Sequence, residues 1–205
     1  MFETDGPLDT GAFEVTLVDT GNTTLGDVNI PAGGNLVVDT AALTTGDLLS
    51  GEGTVTGDVR LGAGEIDGPL TVTGDVDGAA GTGNANIQVG SGGDPGILDI
   101  GGALELEGGD ALTIRIDGTA GAGTTGGHDQ VQTTSTALTL NGASALPSLN
   151  LVSAGPLSFT LGTVIPVVTG SVTGTFAGMP EGSVLSLGTQ PVSYTHLTLP
   201  TIYSV

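Results

Sequence analysis

Apolar and polar residues alternate along most of this chain, and the alternation comes in short pieces. FEVTLV (13–18), NLVVDT (35–40), TVTGDVRL (54–61), LTVTGDV (70–76), GILDI (96–100), ALELE (103–107), ALTIRID (111–117), ALTLNG (137–142) and SVLSLG (183–188) each step at period two. A half-buried strand needs that step, because successive side chains point to opposite faces. In ALTIRID it puts Leu112, Ile114 and Ile116 on one face and Thr113, Arg115 and Asp117 on the other. Helical spacing of apolar residues, sought over windows of about 11 residues, is always interrupted by Gly. The pattern predicts strands throughout, with Gly, Asp, Asn and Pro at the turns between them.

The pieces also resemble one another. LGDVNI (25–30), TTGDLL (44–49), VTGDVRL (55–61) and VTGDVDG (72–78) share Gly-Asp followed by Val or Leu. The Gly-Asp pairs begin at 26, 46, 57 and 74, so they are spaced by 20, 11 and 17 residues. Spacing of that order is one coil of a solenoid or a fraction of one. An all-β fold of the parallel β-helix type is therefore expected from about residue 10 to 190, with an antiparallel β-sandwich as the competing architecture. Composition favours the helix. Gly is 38 of 205 residues and aromatics are 3%, so the core is thin and aliphatic. A stacked column of Val, Ile, Leu and Ala needs no aromatic residue, whereas a sandwich ordinarily buries some.

Charge narrows the partners. The chain carries 22 acids against two arginines, Arg60 and Arg115, for a net −20. Such a chain repels nucleic acid and anionic membrane surfaces, whose attraction needs Lys and Arg. Twenty of the 22 acids lie within residues 1–117, and only Asp129 and Glu181 lie beyond. This asymmetry makes GTAGAGTTGG (118–127) a candidate boundary or long turn. It divides the chain into an acidic repeat region, 1–117, and a C-terminal part, 118–191. No Cys is present, which excludes disulfides, thiolate metal sites and Cys nucleophiles. No apolar run approaches the roughly 18 residues of a membrane span. The start, MFETDGPLDT, is acidic and lacks the apolar region of a signal peptide.

From about residue 50 to 190 the chain resembles the C-terminal part of bacterial autotransporter passenger domains and related adhesins, the family with autotransporter-associated β-strand repeats. The matching stretches are GEGTVTGDVRLGAGEIDGPLTVTGDV, DPGILDIGGALELEGGDALTIRIDGTAGAG, GHDQVQTTSTALTLNG and VTGTFAGMPEGSVLSLG, in that order. The resemblance implies a right-handed parallel β-helical stalk outside a bacterial cell, with a surface ligand of the host or matrix glycan kind. It also implies that Met1 is not the true start, since the family's export signal is missing, as are its last strand and its anchor. The final residues, 192–205, depart in style. VSYTHLTLPTIYSV has no Gly, Asp or Glu, and holds both tyrosines, Tyr194 and Tyr203, and His196. VSYTHLTLPT resembles a one-frame translation of a transposase-type sequencing adapter. The natural sequence is therefore expected to stop near Gln190 or Pro191, and the chain to be a gene fragment. The alternative for this tail is a genuine C-terminal strand on an open edge.

Several motifs invite chemistry, and each has a plainer reading. GAGTTG (121–126) fits G-x-G-x-x-G. A β-branched stretch follows it instead of a helix, and no acid stands about 20 residues on, so it is read as a Gly-rich turn. His128-Asp129 lacks a nucleophile elbow and is read as a structural turn. The recurring Asp27, Asp47, Asp58 and Asp75 would form a carboxylate column if the coils stack in register. Ca²⁺ would relieve its repulsion, and a solvated acidic face is the plainer alternative. Polysaccharide lyase chemistry wants a cationic group that two strand-borne arginines supply poorly. A glycosidase needs only two carboxylates in a cleft, and no spacing singles out a pair. No catalytic, cofactor-binding or metal residue is therefore assigned. The expected function is a structural and adhesive surface role without catalysis. The alternatives are a carbohydrate-active enzyme on the same scaffold and a Ca²⁺-dependent surface-layer or biofilm protein.

Overall fold

The computed structural model describes residues 8–18, 23–25, 27–39, 43–45, 48–61, 63–78, 84–90, 93–134, 138–141, 145–160, 162–187 and 189–195. Within them the chain is all-β and winds as a three-faced parallel β-helix of seven stacked coils. The first coil holds β1 (Leu8–Asp9), β2 (Glu14–Val18) and β3 (Thr23–Leu25), and the second β4 (Val28–Ile30), β5 (Asn35–Asp39) and β6 (Leu43–Thr45). The third holds β7 (Leu48–Gly51), β8 (Thr54–Thr56) and β9 (Val59–Arg60), and the fourth β10 (Glu65–Asp67), β11 (Thr71–Val72) and β12 (Val76–Asp77). The fifth holds β13 (Asn86–Gln88), β14 (Ile97–Ile100) and β15 (Leu104–Leu106), and the sixth β16 (Ala111–Arg115), β17 (Gln130–Thr133) and β18 (Leu138–Leu140). The seventh holds β19 (Ser148–Val152), β20 (Val168–Thr169) and β21 (Val172–Gly174). The first strands of the coils form one seven-stranded sheet, the second strands another and the third strands a third; we call them faces one, two and three.

Register makes the core. On face one, Val28, Leu49, Ile66, Ile87, Leu112 and Leu149 stand directly over one another through six successive coils. Face two stacks Leu36, Val55, Val72 and Ile100, and face three stacks Val59, Val76, Leu104 and Leu138. All of these side chains are buried, most of them completely. The interior is one aliphatic column, which is why a chain so poor in aromatics can fill it. Thr133 is the exception, standing over Ile100. Its hydroxyl is satisfied by donating to the Thr169 carbonyl at 3.2 Å.

Two expectations are refined. TVTGDVRL and LTVTGDV are not single strands. Each turns a corner at its Gly-Asp, so that β8 and β9, or β11 and β12, lie on different faces. The stack also ends earlier than residue 190. SVLSLG forms β22 (Val184–Leu187), which pairs antiparallel with β23 (Gln190–Ser193) outside the three faces. This hairpin includes the first residues of the unusual tail. Tyr194 extends it by donating its N–H to the Ser183 carbonyl and accepting that of Gly182. The Tyr194 ring meets Phe176 edge-on at 6.2 Å. Leu187, at the end of β22, and Phe176 are both buried. His196 and Tyr203 lie outside the described residues.

Coil length is uneven, falling to 17 residues between Leu48 and Glu65 and rising after that. Leu8 pairs with Val28, a step of 20, and Ala111 with Ser148, a step of 37. The extra residues sit at corners. The Gly-rich stretch 118–127 is one such excursion, between β16 and β17 of the sixth coil, and faces one and two run through that coil without interruption. No helix among the described residues is long and apolar enough to cross a membrane.

Candidate functional site

Of the recurring aspartates, Asp27, Asp58 and Asp75 lie at corners, and their carboxylates are engaged by backbone. Asp58 and Asp75 open β9 and β12 at the same corner of neighbouring coils. Asp58 Oδ1 accepts the N–H of Asp75 at 2.9 Å, and Asp75 Oδ1 accepts that of Ala103 at 2.7 Å. The glycine before each donating N–H is required. A Cβ on Gly74 would strike Asp58 Oδ1 and the Gly57 carbonyl, and one on Gly102 would strike Asp75 Oδ1. Gly-Asp recurs because each aspartate reaches across the space a side chain on the next coil would fill.

The single carboxylate column expected from the sequence does not form. Asp27 precedes β4 on face one, where its Oδ1 accepts the Leu48 N–H at 3.3 Å, while Asp58 and Asp75 precede strands of face three. The uneven spacing of 20, 11 and 17 is the signature of these different corners. Asp47 lies outside the described residues. Among the described residues no group of three or more His, Asp or Glu side chains is placed to hold a metal ion.

The arrangement closest to a site is a line of charged residues on the outer side of face three. Arg60, Asp77 and Glu105 occupy matching positions on β9, β12 and β15. With Asp58 and Asp75 they line a shallow depression of about 160 Å³. That is small beside the roughly 300 Å³ at which ligand pockets begin. Arg60 Nε lies 3.8 Å from Asp77 Oδ2. Glu105 Oε1 accepts a hydrogen bond from the Asn141 amide at 2.5 Å. Burial raises the Asp77 pKa, helped by the Glu105 and Asp110 charges and opposed by Arg60. Two carboxylates in register on adjacent strands, one of them with a raised pKa, resemble an acid–base pair in chemistry. The sequence carried a signal for this line. Aligning Asp58-Val59-Arg60 with Asp75-Val76-Asp77 and Ala103-Leu104-Glu105 brings the three charges together, once Gly-Asp is recognised as the coil marker.

His128 and Asp129 lie at the start of β17, both buried. Asp129 joins three segments: Oδ1 accepts the Gly96 N–H at 2.8 Å and Oδ2 the Arg115 N–H at 2.7 Å. Its pKa is raised by burial and by Asp117, against those two N–H bonds and the Arg115 charge. No hydrogen bond joins His128 to Asp129: the carboxylate holds the Gly96 and Arg115 N–H groups, and both imidazole nitrogens lack a partner. GAGTTG is a closed turn between strands, with Gly123 and Gly126 at φ +64° and +74°.

No family model, curated protein or solved structure matches the chain.

Proposed function

We propose that this chain is a segment of an exported bacterial surface protein of the autotransporter-passenger type. In this reading it is a stiff stalk that carries an adhesive region and catalyses nothing. The observation that carries the proposal is the aliphatic register through the coils, with corner carboxylates bonded to backbone N–H groups of adjacent coils. Asp27, Asp58, Asp75, Asp110, Asp117 and Asp129 each accept at least one backbone N–H. Carboxylates used this way fasten coils together. The length of such a rod scales with coil number at about 4.8 Å per coil, which suits reach more than turnover. The expected partner is a neutral or cationic ligand of the surface or matrix glycan kind, since a charge of −20 disfavours anionic ones. Recovery of the intact gene tests the proposal. An export signal upstream and an outer-membrane anchor downstream are expected; a cytoplasmic enzyme gene in their place would overturn it.

A carbohydrate-active enzyme is the second reading, favoured by the Asp77–Glu105 pair and the raised Asp77 pKa. Incubation with neutral and amino-sugar polysaccharides separates the two readings. Binding without new reducing ends fits the stalk. Release of reducing ends that D77N and E105Q both abolish fits the enzyme.

A further inference from the structure

His128 is the one side chain among the described residues whose buried polar atoms have no hydrogen-bond partner. It is only 6% exposed. It closes the excursion 117–128, which is otherwise held by its own backbone. Asp117 and Gly118 donate to the Gly127 carbonyl at 2.8 and 2.9 Å, Ala120 to Gly126 at 3.2 Å, and Gly127 to Thr124 at 2.8 Å. The His128 backbone locks the base, donating to Gly121 at 3.2 Å and accepting from Gly123 at 2.9 Å. Gly123 lies so close over Ile97 that a Cβ there would stand 2.9 Å from its Cγ1. The loop is therefore a flap folded on a corner, with an imidazole packed at its hinge.

We propose that this flap is an acid-released latch: protonation of His128 ejects the imidazole and frees residues 118–127 from the corner, uncovering Ile97. The acceptors nearest the ring already hold other donors. Asp129, next in the chain, has both oxygens occupied by Gly96 and Arg115. From the end of β16 comes Arg115, and from just past it Asp117, which lie 3.5 Å apart as an ion pair. From the segment before β20 comes the Pro166 carbonyl, already taken by Gln130 Nε2 at 2.6 Å. That segment, 163–167, has no titratable residue, nor does the flap from 118 to 127. The turn before β14 brings Asp94, which is exposed. An imidazolium here is a buried charge that must share acceptors already in use, and leaving the site relieves that competition.

The pH response agrees in sign. Burial lowers the His128 pKa, opposed by the Pro166 carbonyl and Asp129. Between the closed and open values the open form then binds more protons than the closed form, so the opening constant rises as pH falls, by at most about tenfold per pH unit.

Hydrogen exchange of the full chain, corrected for the intrinsic pH dependence, reads that slope directly. The amides of 118–128 are expected to lose protection as pH falls below about 6.5, by at most about tenfold per unit, while those of β13 and β16 hold. In H128F the flap is expected to stay closed with no such slope. Equal protection at pH 7.5 and 5.5, or an unchanged slope in H128F, would overturn the proposal. If H128F does not fold, an NMR titration of the imidazole in the H196Q chain decides. A midpoint below 6.5 supports the latch, and one at or above 6.5 sinks it.

Discussion

Asp58 Oδ1 accepts the backbone N–H of Asp75 at 2.9 Å, and this one contact explains a sequence repeat. The aspartate of one coil occupies the space over the glycine of the next, so each residue of the pair fixes the identity of the other. D58A leaves the Asp75 N–H without its carboxylate at an exposed corner, where water replaces it in part. The expected loss is about 1 kcal/mol. D58N keeps an acceptor oxygen and is expected to lose less. G74A adds a methyl where Asp58 Oδ1 and the Gly57 carbonyl already sit, and is expected to cost about 1–3 kcal/mol. Urea unfolding of the three variants checks the order. G74A as stable as wild type would show that the corner is looser than its contacts imply.

The aliphatic column makes a second, larger prediction. Ile66 is fully buried between Leu49 below and Ile87 above. I66A removes contacts to both coils and leaves a cavity that a stacked rod closes poorly, so about 2–5 kcal/mol is expected, and about 1 kcal/mol for I66V. Thr113, on the outer side of β16, is expected to tolerate Ala within about 0.5 kcal/mol. Denaturant midpoints at constant slope test the contrast.

Much of this was legible in the sequence, and the reason is physical. In ALTIRID the period-two step fixed both faces, because Leu112 and Ile114 must point inward if Thr113 and Arg115 point outward. The all-β parallel stack followed from short aliphatic pieces and the near absence of aromatics. What was not legible depended on where the chain turns. Gly57-Asp58 keeps the alternation going through a corner, so β8 and β9 read as one strand. The same blind spot merged corners of different faces into one imagined column, and hid the alignment of Arg60, Asp77 and Glu105. The missing hydrogen bonds of His128 had no signal in the sequence. They arise from partners that come from residues 96, 115 and 166, far apart along the chain.

Asp77 gives the pH dependence of the candidate site. Its pKa is raised by burial first, then by Glu105. A group whose folded pKa is raised stabilises the fold fully below its unfolded value, near 3.8, and that contribution is lost as pH rises through the folded value. At neutral pH the Asp77 carboxylate is thus a liability that Arg60 only partly offsets. D77N is expected to gain on wild type as pH rises from about 3.5 to 6, and the gap is expected to close again in acid. Melting curves of both proteins across that range test it. A constant difference would mean that Asp77 titrates as it does in the unfolded chain.

Ions provide a separate test of the aspartates. With 22 acids and two arginines the folded chain repels itself, so monovalent salt is expected to raise the melting midpoint by screening. The corner carboxylates already hold backbone N–H groups and no cluster of three gathers among the described residues. Millimolar Ca²⁺ is therefore expected to add nothing beyond the same ionic strength of NaCl. A Ca²⁺-specific rise in the melting midpoint would instead establish a cation site and favour a Ca²⁺-dependent cohesive role.

The tail supplies the last prediction. Its first residues complete the hairpin of β22 and β23, and Tyr194 covers Phe176 edge-on. Its hydroxyl pKa is pushed up to about 12 by burial, with Glu181 adding to the rise. The contacts are confined to the end of the stack, beyond the last of the seven-coil ladders at Gly174. Ending the chain at Pro191 removes Val192 and Tyr194 from the hairpin but leaves every rung of the three faces intact. Such a chain is expected to keep its far-ultraviolet circular dichroism and exchange protection through β18, with faster exchange only around Phe176 and Leu187. Global loss of protection would mean that these residues are an integral cap of the fold, at odds with an adapter-derived origin for 192–205.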